Sequence, residues 1–67
     1  MKANLIRSAM VAKNMTVGDV AKQLGITRNT MYKRLNGHSE FSTTEVMRLC
    51  EILNIHDAKT KAEIFLS

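Results

Sequence analysis

Residues Thr16 to Gly37 read TVGDVAKQLGITRNTMYKRLNG, and this stretch decides the fold. Before Gly25, the residues Val17, Val20, Ala21 and Leu24 recur at three- and four-residue spacing. That spacing puts them on one face of a helix over Val17–Leu24. Thr16 stands where an N-cap is needed, and Asp19 follows where a carboxylate meets the free amides of a first turn. Gly25 marks a sharp turn, because glycine reaches positive φ at little cost. Ile26 turns inward after it. Thr27 is a second N-cap, and a second helix runs over Arg28–Asn36 with Met31 and Leu35 inward. Asn36-Gly37 is a helix stop. Two short helices that cross steeply need a small residue at the contact, a left-handed turn and apolar residues to lock the crossing. Ala21, Gly25 and the set Val20, Leu24, Ile26 and Met31 meet those needs. The pattern is that of a helix-turn-helix.

Outward from this core the chain holds more helix. Leu5, Ile6, Ala9, Met10 and Lys13 give a stripe for a first helix over Ala3–Asn14. After the loop Gly37–Phe41, whose Phe41 is expected to plug the core, Ser42 and Glu45 form a capping box. A helix over Thr43–Leu53 then carries Val46, Leu49, Cys50 and Leu53 on one face. Asn54 ends it, Ile55 turns inward, and Asp57 caps a fifth helix over Ala58–Leu66. No alternating strand pattern and no proline occur. The expected fold class is therefore all-α: five helices in one domain over residues 1–67, the second and third forming the helix-turn-helix.

Sixty-seven residues make a thin core. An apolar fraction of 45% is that of a globular chain. The one cysteine, Cys50, excludes an intrachain disulfide framework and suits a reducing compartment. No apolar run approaches the ~20 residues that span a bilayer, and residues 1–10 lack the features of a signal peptide. The expected location is the cytoplasm. The formal charge is +4, unevenly spread. Over residues 1–39, seven basic residues oppose Asp19 alone, a net +6; over residues 40–67, three oppose five, a net −2. A basic N-terminal part facing a polyanion, and a slightly acidic part facing something else, fit that split.

The second helix of the motif is informative at the level of single residues. With Met31 inward at 100° per residue, the outward face presents Arg28, Asn29, Tyr32, Lys33 and Asn36. It is rich in donors, has one aromatic ring and no acid. Arginine binds guanine O6 and N7 by two prongs, and asparagine does the same to adenine N6 and N7. Arg28, Asn29, Tyr32 and Lys33 are the candidate base contacts. A solvated helix face is the plainer account of the same residues. Candidate phosphate contacts lie at helix N-termini and the following loop. They are Thr16, Val17, Gly18, Thr27, Asn36, Gly37, Ser39, Thr43 and Thr44, with Lys13 and Lys22 adding charge. Each threonine serves equally well as a cap alone.

These residues resemble the Cro and C1-type (lambda-repressor-like) helix-turn-helix family of bacteriophages and bacterial regulators. The resemblance rests on Ala21, the QLGIT of Gln23–Thr27, Met31, the LNG of Leu35–Gly37 and the ILNI of Ile52–Ile55, and covers nearly the whole chain. The stretch YKRLNGHSEFSTTEV, Tyr32–Val46, looks like short phage-encoded members. The resemblance implies that the second motif helix enters the DNA major groove, that the first crosses the backbone, and that dimers read two half-sites about one turn apart. Two departures stand out. Val17 replaces the glutamine that often contacts phosphate, so that contact would be made by backbone alone. Met10 and Leu35 occupy positions where many members pair arginine with glutamate, so an apolar contact is expected.

Other residues point elsewhere only weakly. His38 and His56 have no partners at metal-ligand spacing, so neither a metal nor a cofactor is expected. Cys50 reads as an inert buried thiol. No nucleophile-base arrangement suggests an enzyme, and no small-molecule substrate is expected. Met47 lies off the main stripe and, with Ile64 and Leu66, could make an exposed apolar patch for self-association or could simply pack in the core. Two functions follow. One is a repressor-like regulator on a double-stranded DNA operator, with a homodimer as candidate assembly. The other is a modulator that pairs with a partner repressor protein. The donor-rich face of the second motif helix favours DNA, since protein-binding faces are more apolar at their centre.

Overall fold

In the computed structural model, which describes residues 1–66, the elements are α1 (Ala3–Ala12), α2 (Val17–Leu24), α3 (Arg28–Leu35), α4 (Thr43–Ile52) and α5 (Ala58–Phe65). Among the described residues there is no strand. The fold is the all-α, five-helix arrangement expected, and α2 and α3 pack closely. The starts of four helices fall where the caps put them. Thr16 Oγ1 accepts from the Asp19 amide at 3.1 Å, while the Thr16 amide donates to Asp19 at 2.9 Å. Ser42 and Glu45 repeat this reciprocal pair at α4. Thr27 and Asp57 cap α3 and α5 through the amides of Thr30 and Thr60.

The helix ends come slightly earlier than periodicity suggested. α1 stops at Ala12 rather than Asn14, because Asn14 takes φ 56°. Lys13, expected on the inward stripe, is the exposed C-cap. α3, α4 and α5 each lose their last expected residue, Asn36, Leu53 and Leu66, to a capping role. The cause is common: the final residue keeps its amide bonded to the helix but leaves helical geometry itself.

The core joins all five helices. Ile6 and Met10 come from α1, Val20, Ala21 and Leu24 from α2, and Met31 and Leu35 from α3. Leu49 and Cys50 come from α4, Leu53 and Ile55 from the following turn, and Ile64 from α5. Met10 and Leu35, read from the sequence as an apolar substitute for an ion pair, both belong to this core. Phe41 and Ile26 are half-buried against it. α5 is tied back to the N-terminus, the Lys2 amide donating to the Ile64 carbonyl at 2.7 Å. Of the two readings open for Met47, Ile64 and Leu66, Ile64 takes the core: it is 2% exposed, on the helix that packs against α1, whereas Met47 and Leu66 stay on the surface. On an eight-residue helix only one stripe can face inward, and Ile64 takes it. Cys50 is buried, and burial pushes its thiol pKa up, which keeps it protonated and unreactive.

Two predictions follow from the core and the caps. Leu35→Ala should lower the unfolding free energy by about 2–5 kcal/mol in urea titration, because it deletes a buried side chain at the meeting of α3 with the core; an unchanged midpoint would mean the site is open to water. The caps make the second. The Asp19 carboxyl is held below its ordinary pKa by the Thr16 amide and hydroxyl, Glu45 by Arg34 and the Ser42 amide, and Asp57 by the Thr60 hydroxyl and amide. Carboxyls that titrate lower in the folded chain favour folding above their unfolded pKa, and that contribution is lost as pH falls through the folded one. The thermal midpoint should therefore drop on acidification through the carboxylate range. Asp57→Asn, which keeps a good cap but cannot titrate, should show a shallower drop.

Candidate nucleic-acid interface

The helix-turn-helix is built around the end of α2. Gly25 sits at φ 78°, and the Ile26 amide reaches back to the Ala21 carbonyl at 3.0 Å. Ala21 is 2% exposed, so the close approach of α3 occurs where α2 has only a methyl group. Ile26 then leads directly to the Thr27 cap, and α3 starts with its first turn beside that of α2. The contact is visible at Gly18. A β-carbon placed there would lie 3.9 Å from Arg28 Cδ and 4.0 Å from Arg28 Nε. The Arg28 side chain thus leans across the first turn of α2, with Thr16 Oγ1 on the same side at 3.8 Å.

Several sequence-predicted residues are gathered at this junction: Thr16, Gly18, Thr27 and Arg28. The capping box of α2 and the Thr27 cap of α3 leave the amides of Val17 and Gly18, and of Arg28 and Asn29, without acceptors inside their helices. They are the donors an anion would use. Asp19 brings a negative charge to the same turn, offset in part by Lys22, whose charge also lowers the Asp19 pKa. Arg28, Asn29, Tyr32 and Lys33 on α3 and Asn36 at its C-cap are all exposed, as the wheel placed them. Tyr32 is 41% exposed, enough to offer both ring and hydroxyl.

The segment after α3 carries Asn36, Gly37 and Ser39. Asn36 caps α3 and Gly37 takes φ 80°, both exposed. Ser39 is half-buried, and its Oγ accepts a bond from Arg34 Nη1 at 2.7 Å, which leaves only its own proton to offer outward. Thr43 and Thr44 sit exposed in the first turn of α4. Lys13, the C-cap of α1, and Lys22, in the last turn of α2, are both exposed and belong to the basic part of the chain.

Sequence reading missed one pair. Arg34 forks onto Glu45, Nε to Oε1 at 3.0 Å and Nη2 to Oε2 at 3.2 Å. Both side chains are largely covered, 20% and 16% exposed. A signal for it existed. Arg34 falls 60° from Met31 on the helix wheel, on the flank of the buried stripe, and Glu45 stands one turn before the core residue Leu49. Glu45 had a sufficient explanation as a cap, and the cap was only half of its work.

The arrangement defines a class, a helix-turn-helix DNA-binding domain. Comparison with known families places residues 5–56 on the model of the Cro/C1-type HTH DNA-binding domain. The chain belongs to that family and is a DNA-binding regulator of its type. No match is found among curated proteins or among solved structures.

The turn carries a test of its own. Nothing lies within 4 Å of a β-carbon at Gly25, so Gly25→Ala meets no clash and its cost is purely that of φ 78°. It should destabilise the chain by about 1 kcal/mol. A loss several times larger would mean that the α2–α3 angle itself had changed.

Proposed function

We propose that the protein is a sequence-specific transcriptional regulator that reads an operator with α3 in the major groove. The observation that carries this is the outward face of α3: Arg28, Asn29, Tyr32 and Lys33 together, with no carboxylate among them and Arg28 already extended across the start of α2. Arg28 and Asn29, in the first turn, make the base contacts, and Lys33 and Tyr32 read or anchor one turn further on. Phosphates are held on both sides of the groove. On one side are Thr16 and the amides of Val17 and Gly18, with Thr27, Lys13 and Lys22. On the other are Asn36, Gly37, Ser39, Thr43 and Thr44. The protein works as a binding module, without catalysis, in the cytoplasm of a bacterial host. The likeness of Tyr32–Val46 to short phage members supports a repressor of the phage type.

The assembly we favour is a homodimer on a pseudo-palindromic site. The apolar residues Phe41, Val46, Phe65 and Leu66 support it; they line an open groove of about 690 Å³ between the end of α3, the start of α4 and the end of α5, whose lining residues Asn36, Gly37, Ser39 and Thr43 are left to the phosphates. The same groove, with exposed Met47 nearby in sequence, also supports the second reading, a modulator that pairs with another repressor.

The deciding experiment is selection from a randomised duplex pool, beside a salt titration on random-sequence DNA. An enriched pseudo-palindrome with a steep salt slope, about −0.9 per phosphate neutralised, is expected. Weak and featureless binding would transfer the function to the protein-pairing reading. Within an enriched site, Arg28→Ala should cost about 1–3 kcal/mol and relax preference at one base position. An unaltered preference in repeat selection would remove Arg28 from base readout.

A further inference from the structure

Four helices of this protein end with the same backbone device. Asn14, Gly25, Gly37 and Asn54 take φ of 56°, 78°, 80° and 60°. The next amide then reaches back into the last turn: Met15 to Met10 at 2.9 Å, Ile26 to Ala21 at 3.0 Å, His38 to Lys33 at 2.9 Å and Ile55 to Cys50 at 2.8 Å. In α1, α2 and α4 the residue after the left-handed one is apolar and packs on the core: Met15, Ile26 and Ile55. That side chain fixes the direction of the outgoing chain. After α3 the equivalent residue is His38, which is exposed. No apolar anchor holds the chain at this stop, and Phe41 reaches the core only three residues later.

Arg34 stands in for that anchor. Its Nη1 donates to Ser39 Oγ at 2.7 Å, inside the outgoing loop. Its Nε and Nη2 fork onto Glu45 in α4. Glu45 Oε1 also accepts from the Ser42 amide at 3.0 Å, the N-cap of α4. One half-buried guanidinium therefore joins the last turn of α3, the middle of the loop and the first turn of α4. Those are the segments that carry Asn36, Gly37, Ser39, Thr43 and Thr44. We propose that Arg34, although basic and on the DNA-reading helix, is a positioning residue and not a DNA contact: clamped to Glu45 and Ser39, it sets the loop and the start of α4 at the distance from α3 that lets both meet the phosphate backbone. The DNA half of this proposal rests on the reading in the preceding section.

Charge and geometry predict opposite outcomes here, which makes the clamp testable. Glu45→Gln removes a negative charge beside the DNA face, frees a cation and keeps the capping box, since glutamine serves at that position. If Arg34 were a phosphate contact or a bystander, duplex binding would tighten or hold. The clamp instead requires binding to weaken, by roughly tenfold or more, on the loss of a coupled bidentate pair. Arg34→Lys keeps the charge but cannot fork, and should weaken binding similarly. Both variants are measured on random-sequence duplex at a temperature where circular dichroism shows them folded. Backbone ¹⁵N order parameters of the free proteins read the clamp without DNA. Residues 37–42 should be rigid in the natural chain, about 0.85, and fall toward 0.6 in both variants, with α1 and α2 unmoved. Order parameters that do not change, or tighter binding by Glu45→Gln, overturn the clamp. Should the natural chain bind no duplex, the DNA reading fails, and the order parameters alone decide the clamp.

Discussion

Helices of eight to ten residues are mostly ends. Each leaves its first four amides and last four carbonyls without partners in the helix, so in this chain the unsatisfied groups rival the satisfied ones. The fold depends on meeting them locally, and it does so in a stereotyped way. Side chains of Thr16, Thr27, Ser42 and Asp57 receive the third amide of α2, α3, α4 and α5. Left-handed residues let a later amide close α1, α2, α3 and α4. The thin core then has to fix only the directions of the helices. After α1, α2 and α4 it does this with the residue that follows the stop, Met15, Ile26 or Ile55, and there the backbone device and the core are one system.

The same economy explains the functional face. The side-chain caps of α2, α3, α4 and α5 consume the third amide of each of these helices and spare the first two. At α2 and α3 these spared donors lie on neighbouring turns, because Ala21 and Gly25 bring the start of α3 against the start of α2. Stability and anion recognition thus do not compete for the same groups. Asp19 is where they come closest to doing so. Its carboxylate completes the box at α2 and stays ionised there, at the turn whose spared amides would receive a phosphate in the proposed complex. Lys22, one turn on, moderates the conflict.

Much of this was legible in the sequence because it is local. A cap needs one residue type at one position, and a left-handed stop needs glycine or asparagine, so Thr16, Gly25, Ser42 and Asp57 announce themselves. The outward face of α3 follows from Met31 and Leu35 by angle alone. What was not legible was set by contacts between elements. The place of Ile64, surface patch or core, stayed open because a helical wheel does not say which neighbour a stripe will meet; α5 packs against α1 and is tied to the N-terminus, and Ile64 is buried. The bond that Ser39 accepts was not legible, because Arg34, five residues away, had no assigned partner. The helix ends ran one or two residues short because Asn14 and the capping residues leave helical geometry while still bonded to it.

Arg34 shows why counting charge overstates what a surface can bind. The basic part of the chain counts seven cations, but one of them is already spent inside the protein on Glu45, a residue of the acidic part. The pair raises the pKa of the arginine and lowers that of the glutamate, so both stay ionised and held together. The two parts of the chain are therefore not electrostatically separate. The acidic part reaches into the basic one at the one of the four left-handed helix stops that lacks an apolar anchor, and a charge that a count would assign to DNA holds the following loop instead. A hydrophobic side chain after Gly37 would have packed the loop inward, as it does after Gly25. A polar clamp holds the same loop while leaving it at the surface, where its backbone stays available to an anion.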